Sequence, residues 1–143
     1  MHRVRLAFGT DERTALTESL LSELRAAGHE VEVVAEGAEW PDVGRAVGEA
    51  VAAGRAAKGV VSCTTGTGVA MAANKVPGVR AALCTDAWTA EAARRWNDAN
   101  VLAFGLRLTT ATVASEMVEA FLSTAFDPVE APLVDRVEPA VDQ

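Results

Sequence analysis

Five short apolar runs, each followed by a stretch with helical spacing, leave this chain few ways to fold. Val4-Arg5-Leu6-Ala7-Phe8, Glu30 to Ala35, Gly59-Val60-Val61-Ser62-Cys63, Val79 to Cys84 and Asn100-Val101-Leu102-Ala103-Phe104 have the length and composition of strands. Between them, Leu16, Leu20 and Leu24 line one helical face that Gly28 ends. Val43, Ala46, Val47, Ala50 and Val51 form an apolar stripe ending at Gly54, with Asp42 the expected N-cap behind Pro41. A short helix over Val69 to Asn74, one from Asp86 to Trp96 and one carrying Val113, Met117, Val118, Phe121 and Leu122 complete the pattern. Strict alternation of this kind predicts an α/β fold, a five-stranded parallel sheet with helices on both faces joined by right-handed crossovers.

With 143 residues there is room for one domain, expected over 1–125. The tail, 126–143, has three prolines and little periodicity, and reads as an extended arm able to pack on a neighbouring subunit. No apolar run reaches the ~20 residues of a membrane helix, and the first residues lack the form of a signal peptide. A cytoplasmic location is the resulting expectation. The net charge of −7 has no basic cluster to set against it, which argues against nucleic acid and anionic membranes as partners. Two cysteines and two histidines, His2 and His29, match no metal-ligand spacing, so no structural metal site is expected.

Ligands of parallel sheets bind outside the carboxyl ends of the strands. That rule singles out Gly9 to Thr14, Glu36 to Pro41, Cys63 to Gly68 and Cys84 to Trp88. The third segment carries the chemistry. In Cys63-Thr64-Thr65-Gly66-Thr67-Gly68 a thiol ends an apolar strand, and a Thr/Gly run opens a helix. Glycines let successive N–H groups converge on one point, and a helix N-terminus adds partial positive charge and stabilises thiolates. Such a thiol can take a proton from carbon while the amides hold the resulting oxyanion. The alternative is a small core cysteine beside a tight turn, which is the reading kept for Cys84. No G-x-x-x-x-G-K-[ST] and no G-x-G-x-x-G after the first strand is present.

Cys63 to Gly68, Ala72-Ala73-Asn74-Lys75-Val76-Pro77-Gly78 running on to Asp86, and Asn97-Asp98-Ala99-Asn100 running on to Gly105 together resemble the type B ribose-5-phosphate isomerases and their galactose-6-phosphate isomerase relatives. The resemblance implies a Rossmann-like three-layer fold, and a homodimer or dimer of dimers with active sites shared between subunits. It also implies aldose–ketose isomerisation of a small sugar or sugar phosphate through an enediolate, without a cofactor. Carried over by position, Cys63 is the catalytic base, and Thr65, Gly66, Thr67 and Gly68 form the loop around the enediolate oxygen. Asp11 and Asn97 hold substrate hydroxyls, and Arg136 is one of two phosphate-gripping arginines.

The departures cluster in the site. Glu12 and Trp96 stand where the family has histidines, the first for phosphate and the second for ring opening. Trp40 replaces a tyrosine, Thr64 a glycine, and Pro132 lies near the place of the second arginine. A cation exchanged for Glu12 turns attraction for phosphate into repulsion, and Arg13 is either a solvated first-turn residue or a partial offset to it. Trp40 and Trp96 offer either stacking faces for a larger ligand or interface packing. Ring opening falls to Asp11, Asp98 or water, or the substrate arrives open-chain. The expectation is an isomerase with altered specificity. The alternatives are a ligand-binding relative without turnover, and different chemistry on a nucleoside-like or unphosphorylated compound.

Overall fold

The computed structural model describes residues 3–139. Five parallel strands, β1 (Arg5–Thr10), β2 (Glu30–Glu36), β3 (Lys58–Cys63), β4 (Ala81–Leu83) and β5 (Val101–Gly105), form one sheet in the order β2-β1-β3-β5-β4. Helices α1 (Ala15–Ala26), α4 (Ala87–Asn97) and α5 (Ala111–Ser123) cover one face around Leu6, Phe8, Leu102, Phe104 and Phe121. Helices α2 (Trp40–Ala52) and α3 (Thr67–Asn74) cover the other around Ala7, Val43, Val47, Val61 and Val101. The expected three-layer α/β fold is the one observed.

Glycine sets the spacing of the second face. A Cβ on Gly9 would lie 2.7 Å from Val47 Cγ2 and one on Gly59 2.5 Å from Val47 Cγ1, so α2 rests directly on β1 and β3. A Cβ on Gly44 would stand 2.6 Å from both Ala72 Cβ and Val69 O, so α2 and α3 pack almost backbone to backbone. This close approach brings the start of α2 to the start of α3, at the carboxyl edge of the sheet.

Three expectations need correction. Asp42 does not cap α2: the helix begins at Trp40 with Glu39 as N-cap and Pro41 in its first turn, where a missing N–H costs nothing. The fourth strand is confined to Ala81–Leu83, because Gly78 turns with φ +87° and Arg80 is drawn toward Asn100 and Asp98. Asn74 completes that edge strand, its side-chain amide accepting from Ala81 N–H (2.8 Å) and donating to Ala81 O (3.0 Å). The tail is not a plain extended arm. It holds a 3₁₀ turn (Pro128–Glu130) and one helical turn, α6 (Ala131–Val134), and Glu138 accepts from Gly78 N–H at 3.0 Å. Among the described residues no helix is long and apolar enough to cross a membrane.

Candidate active site

From β1 the chain passes to one side of the sheet, and from β3 onward it builds the other side. The carboxyl ends of these two neighbours therefore open the crevice where parallel sheets take ligands. The two ends are fastened together. Asp11 N–H donates to Ser62 O (3.2 Å), and the Ser62 hydroxyl donates to Thr10 Oγ1 (2.9 Å), which in turn donates to Glu12 O (2.8 Å). Asp11 is thus set beside the end of β3.

Cys63 is the last residue of β3 and is buried, with Sγ accepting the Gly66 N–H at 3.2 Å. The chain then turns sharply through Gly66 at φ +79°, which is the N-cap of α3 and makes no side-chain cap. Only glycine fits there: a Cβ would meet Phe104 C at 2.6 Å, Leu83 Cδ1 at 2.7 Å and Gly105 N at 2.8 Å. Thr65 and Thr67 pair through their hydroxyls at 2.7 Å at the mouth of the turn. With no side-chain cap from Gly66, the first-turn amides of Gly68 and Val69 have no helical acceptor, which leaves the start of α3 open to an anion.

Two neighbours shape the loop from outside. Trp40 packs against the first turn of α3, its Cδ2 and Cε3 only 2.8 Å from where a Cβ on Gly68 would stand, and it remains 46% exposed. Across the loop, Leu106 N–H donates to Cys63 O (2.9 Å) and Arg107 N–H to Thr64 O (3.1 Å). Arg107 is a site neighbour that the sequence pattern did not single out. Its signal is the strand order: β5 pairs with β3, so the segment leaving β5 must run beside Cys63.

Asp11 Oδ1 is buried without a hydrogen-bond partner. Burial, then the charge of Glu12, push the Asp11 carboxyl above its ordinary value of 3.8, against the pull of the Asp11 and Glu12 backbone N–H groups. A carboxyl whose pKa is raised by folding favours the native state when protonated, and that advantage is lost as pH rises through the folded pKa. Asp11→Asn is therefore expected to be more stable than the parent at pH 7 and equal to it at pH 3. Thermal melts at the two pH values test this, and a variant less stable at pH 7 would show the carboxylate to be satisfied.

Glu12 and Arg13 are exposed at the same edge, but Arg13 is not a free cation. Its Nε lies 3.1 Å from Glu18 Oε1 and 3.3 Å from Glu36 Oε1, so a phosphate would have to compete with two carboxylates. The offset expected from Arg13 is accordingly reduced. Cys84 is buried, its thiol pushed up to about 12 by burial and by Asp86, in keeping with a packing role.

The remaining expected site residues stand elsewhere. Helix α4 runs back along the sheet, so Trp96 and Asn97 in its last turn lie at the amino edge, opposite Cys63. They line a groove of about 500 Å³ with Glu130, Leu133, Val134 and Val137 of the tail. Arg136 is an exposed residue of that tail segment, its N–H donating to Leu133 O at 3.1 Å. Trp96 packs edge-on against Trp88, with ring centroids 5.9 Å apart. One chain alone does not bring Asn97, Trp96 or Arg136 to the thiol.

Asp98, considered above as an acid for ring opening, is engaged in the framework. It follows α4 in the left-handed region (φ 48°), with Oδ1 2.8 Å from Arg94 Nη1 and Oδ2 3.2 Å from Arg80 Nη2. Asn100 finishes the corner, accepting from Arg80 N–H (2.7 Å) and donating to Gly78 O (3.0 Å). Among the described residues no group of three or more His, Cys, Asp or Glu side chains is placed to hold a metal ion.

Comparison with known proteins shows the family. A family model described as Ribose/Galactose Isomerase matches residues 6–138. Ribose-5-phosphate isomerase B of Escherichia coli is 35% identical over 130 residues, 86% of each chain. D-erythrulose-4-phosphate isomerase 2 of Mycolicibacterium smegmatis is 36% identical over 126 residues, 86% of this chain and 83% of its own. The solved ribose 5-phosphate isomerase of Thermotoga maritima superposes with a TM-score of 0.88 at 32% identity, covering 96% of this chain and 99% of the other. The match runs through the strand-end thiol loop, the Asn74 edge and the Asp98 corner alike, and on that ground the chain belongs to the ribose/galactose isomerase family.

Proposed function

We propose that this protein is an aldose–ketose isomerase of small sugars or sugar phosphates, with Cys63 as the base. The observation that carries this reading is the thiol at the end of β3, fixed by the Gly66 N–H and facing the uncapped start of α3. Cys63, as thiolate, takes the proton from the carbon next to the substrate carbonyl. The electron pair moves into the new C1–C2 double bond, and the carbonyl oxygen becomes an oxyanion held by the amides of α3 and the Thr65 and Thr67 hydroxyls. A proton passes from O2 to O1 with Asp11 as the adjacent carrier. The thiol then returns its proton to C1, and C2 becomes the carbonyl. No oxidant or reductant is consumed.

The relatives named above act on ribose 5-phosphate and erythrulose 4-phosphate by their names. In this chain Glu12 places a carboxylate at the edge where phosphate would lie, and Arg13 is already paired. A charge-assisted hydrogen bond contributes ~1.5–3 kcal/mol, so the hold on phosphate is weaker and the specificity altered. Trp40 supplies an apolar wall over Gly68 in place of a smaller ring.

The active unit in this reading is a homodimer within the cytoplasm. Asn97 lies at the amino edge of its own chain, so it reaches the thiol crevice only from a second copy. The exposed Trp88, Trp96, Leu133 and Val137 give that copy an apolar surface to meet. The test is proton NMR in deuterated water with sugars and sugar phosphates of four to six carbons. Product with deuterium at the receiving carbon is expected; a full panel left unchanged would sink the reading. Cys63→Ala and Asn97→Ala proteins, each impaired alone, are expected to recover activity when subunits are exchanged, and no recovery would refute the shared site.

A further inference from the structure

At the amino edge of the sheet, far from the thiol, one corner has more cationic donors than its carboxylate can hold. Gly59 and Ala81 both pair with Val101. One residue earlier, Lys58, Asn100 and Arg80 therefore form a row across β3, β5 and β4. Side chains alternate along strands, so this row faces the same way as Val60, Leu102 and Ala82, toward α4 and α5. Arg94 reaches the row from α4, its Nη1 donating to Ala99 O at 2.8 Å.

Asp98 is the carboxylate paired at this corner, and both of its oxygens are in use, Oδ1 for Arg94 and Oδ2 for Arg80. The hydrogen bonds of Arg94 run through Nε and Nη1, and those of Arg80 through Nε and Nη2. Among the described residues Arg94 Nη2 and Arg80 Nη1 have no acceptor, although Arg94 is only 7% exposed. Lys58 is partly buried, and among the described residues it forms no ion pair with Asp98 or any other carboxylate. Burial, then the charge of Arg94, lower the Lys58 pKa from its ordinary 10.5, with Arg80 adding to the effect and Asp98 opposing it. Three cations thus share one anion. A desolvated lysine beside other cations spends more of its time as a neutral nucleophile than an exposed one does.

We propose that Lys58 is a carbon dioxide site, forming a carbamate that supplies the second carboxylate this corner lacks. The neutral amine attacks the carbon of CO2, and the N–C bond forms as one carbon–oxygen π pair moves onto oxygen. The nitrogen then gives a proton to water. One amine and one CO2 yield one carbamate anion and one proton, and nothing is oxidised or reduced. A cation becomes an anion, so two guanidiniums face two carboxylates, and Arg94 Nη2 and Arg80 Nη1 gain an acceptor. Acylation of the same amine would cancel its charge without adding an anion, which is why CO2 is the reagent this corner fits. Arginine could not react in this way, and of the thirteen lysines and arginines only Lys58 and Lys75 are lysines. Because the corner ends α4, CO2 bound here steadies the turn that carries Trp96 and Asn97.

The experiment equilibrates the full chain with isotope-labelled CO2 and bicarbonate at constant pH and ionic strength. Carbamates are trapped as ethyl esters with triethyloxonium and located by peptide mass spectrometry. Several-fold more trapped label is expected on Lys58 than on Lys75, whose side chain is exposed. No label on Lys58, or as much on Lys75, overturns the proposal. Melting reads the contacts. The parent is expected to melt higher as CO2 rises at fixed pH, because the folded corner holds the carbamate more tightly than the unfolded chain does. Lys58→Met is expected to show no such rise, and an equal rise in that variant overturns the proposal. Label on Lys58 with an unchanged parent melting temperature would show a solvated carbamate that Arg94 and Arg80 do not hold, which overturns it as well.

Discussion

Cys63→Ala is expected to lower turnover by about 10²–10⁴-fold, the usual share of a positioned base, and to remove solvent deuterium from the product to the same degree. The fold should persist. Sγ is buried at the strand end and its one polar contact is the Gly66 N–H. Losing it leaves a small cavity and one amide short of a partner, a cost of about 1 kcal/mol in a typical core substitution. The Gly66 turn is held independently by the backbone crossing with Gly105 and by the Leu106 and Arg107 amides. Cys63→Ser serves as the second measurement. It keeps a hydrogen-bonding atom in nearly the same place but offers a hydroxyl, a far weaker base, so it should be as slow as alanine while melting closer to the parent. Deuterium exchange at the parent rate in either variant would move the base elsewhere, and Asp11 would be the group to examine.

The sheet was legible because fully apolar strands and 3.6-residue stripes are long-range demands: they must meet water or a core, and only one layer order satisfies both. Less legible were positions where a side chain does the work of backbone. Val79 to Cys84 has strand composition, yet its first residues bend away because Asn100 and Asp98 capture Arg80, while the Asn74 amide pairs with Ala81. Neither event leaves a periodic trace. The tail behaves similarly, since Asp127 N–H donates to Arg95 O and Glu138 accepts from Gly78 N–H, partners far along the chain.

For the site, the thiol loop could be found from local chemistry alone, a cysteine ending an apolar strand before Thr and Gly. What its neighbours do could not. Arg107 sits beside Thr64 only because β5 pairs with β3 ahead of β4, and strand order has no local signature. Arg13 looked like a spare cation until folding set Glu18 and Glu36 against it. Asn97 and Cys63 share a family signature, yet helix direction puts them at opposite edges of one chain, a fact about topology rather than about residue type.

Asp98→Ala carries the largest expected loss of stability. Arg94 is only 7% exposed, and its Nη1 donates to both Asp98 Oδ1 and Ala99 O at 2.8 Å, with Nε on Thr124 O at 3.2 Å. Phe121 lies under the guanidinium, 5.8 Å from ring centroid to Cζ. Removing the carboxylate leaves a buried charge with carbonyls but no counter-ion, a change that typically costs about 3–5 kcal/mol. Arg80 loses its partner at the same time, and Lys58, whose pKa is already lowered by burial and by the charge of Arg94, then faces uncompensated cations. The backbone adds a separate cost, since Asp98 holds φ 48° and alanine in the left-handed region loses roughly 1–2 kcal/mol. These two contributions can be told apart. Asp98→Gly removes the charge but relieves the backbone, so it should be less damaging than alanine by about that 1–2 kcal/mol, while Asp98→Asn keeps the turn and part of the hydrogen bonding and should fall between parent and glycine. Urea unfolding at fixed protein concentration gives all three values. If alanine and glycine were equal, backbone strain would play no part; if all three lay within 1 kcal/mol of the parent, the corner would be held by Asn100 and the carbonyls, and Asp98 would be free after all to act on a substrate brought by a second subunit.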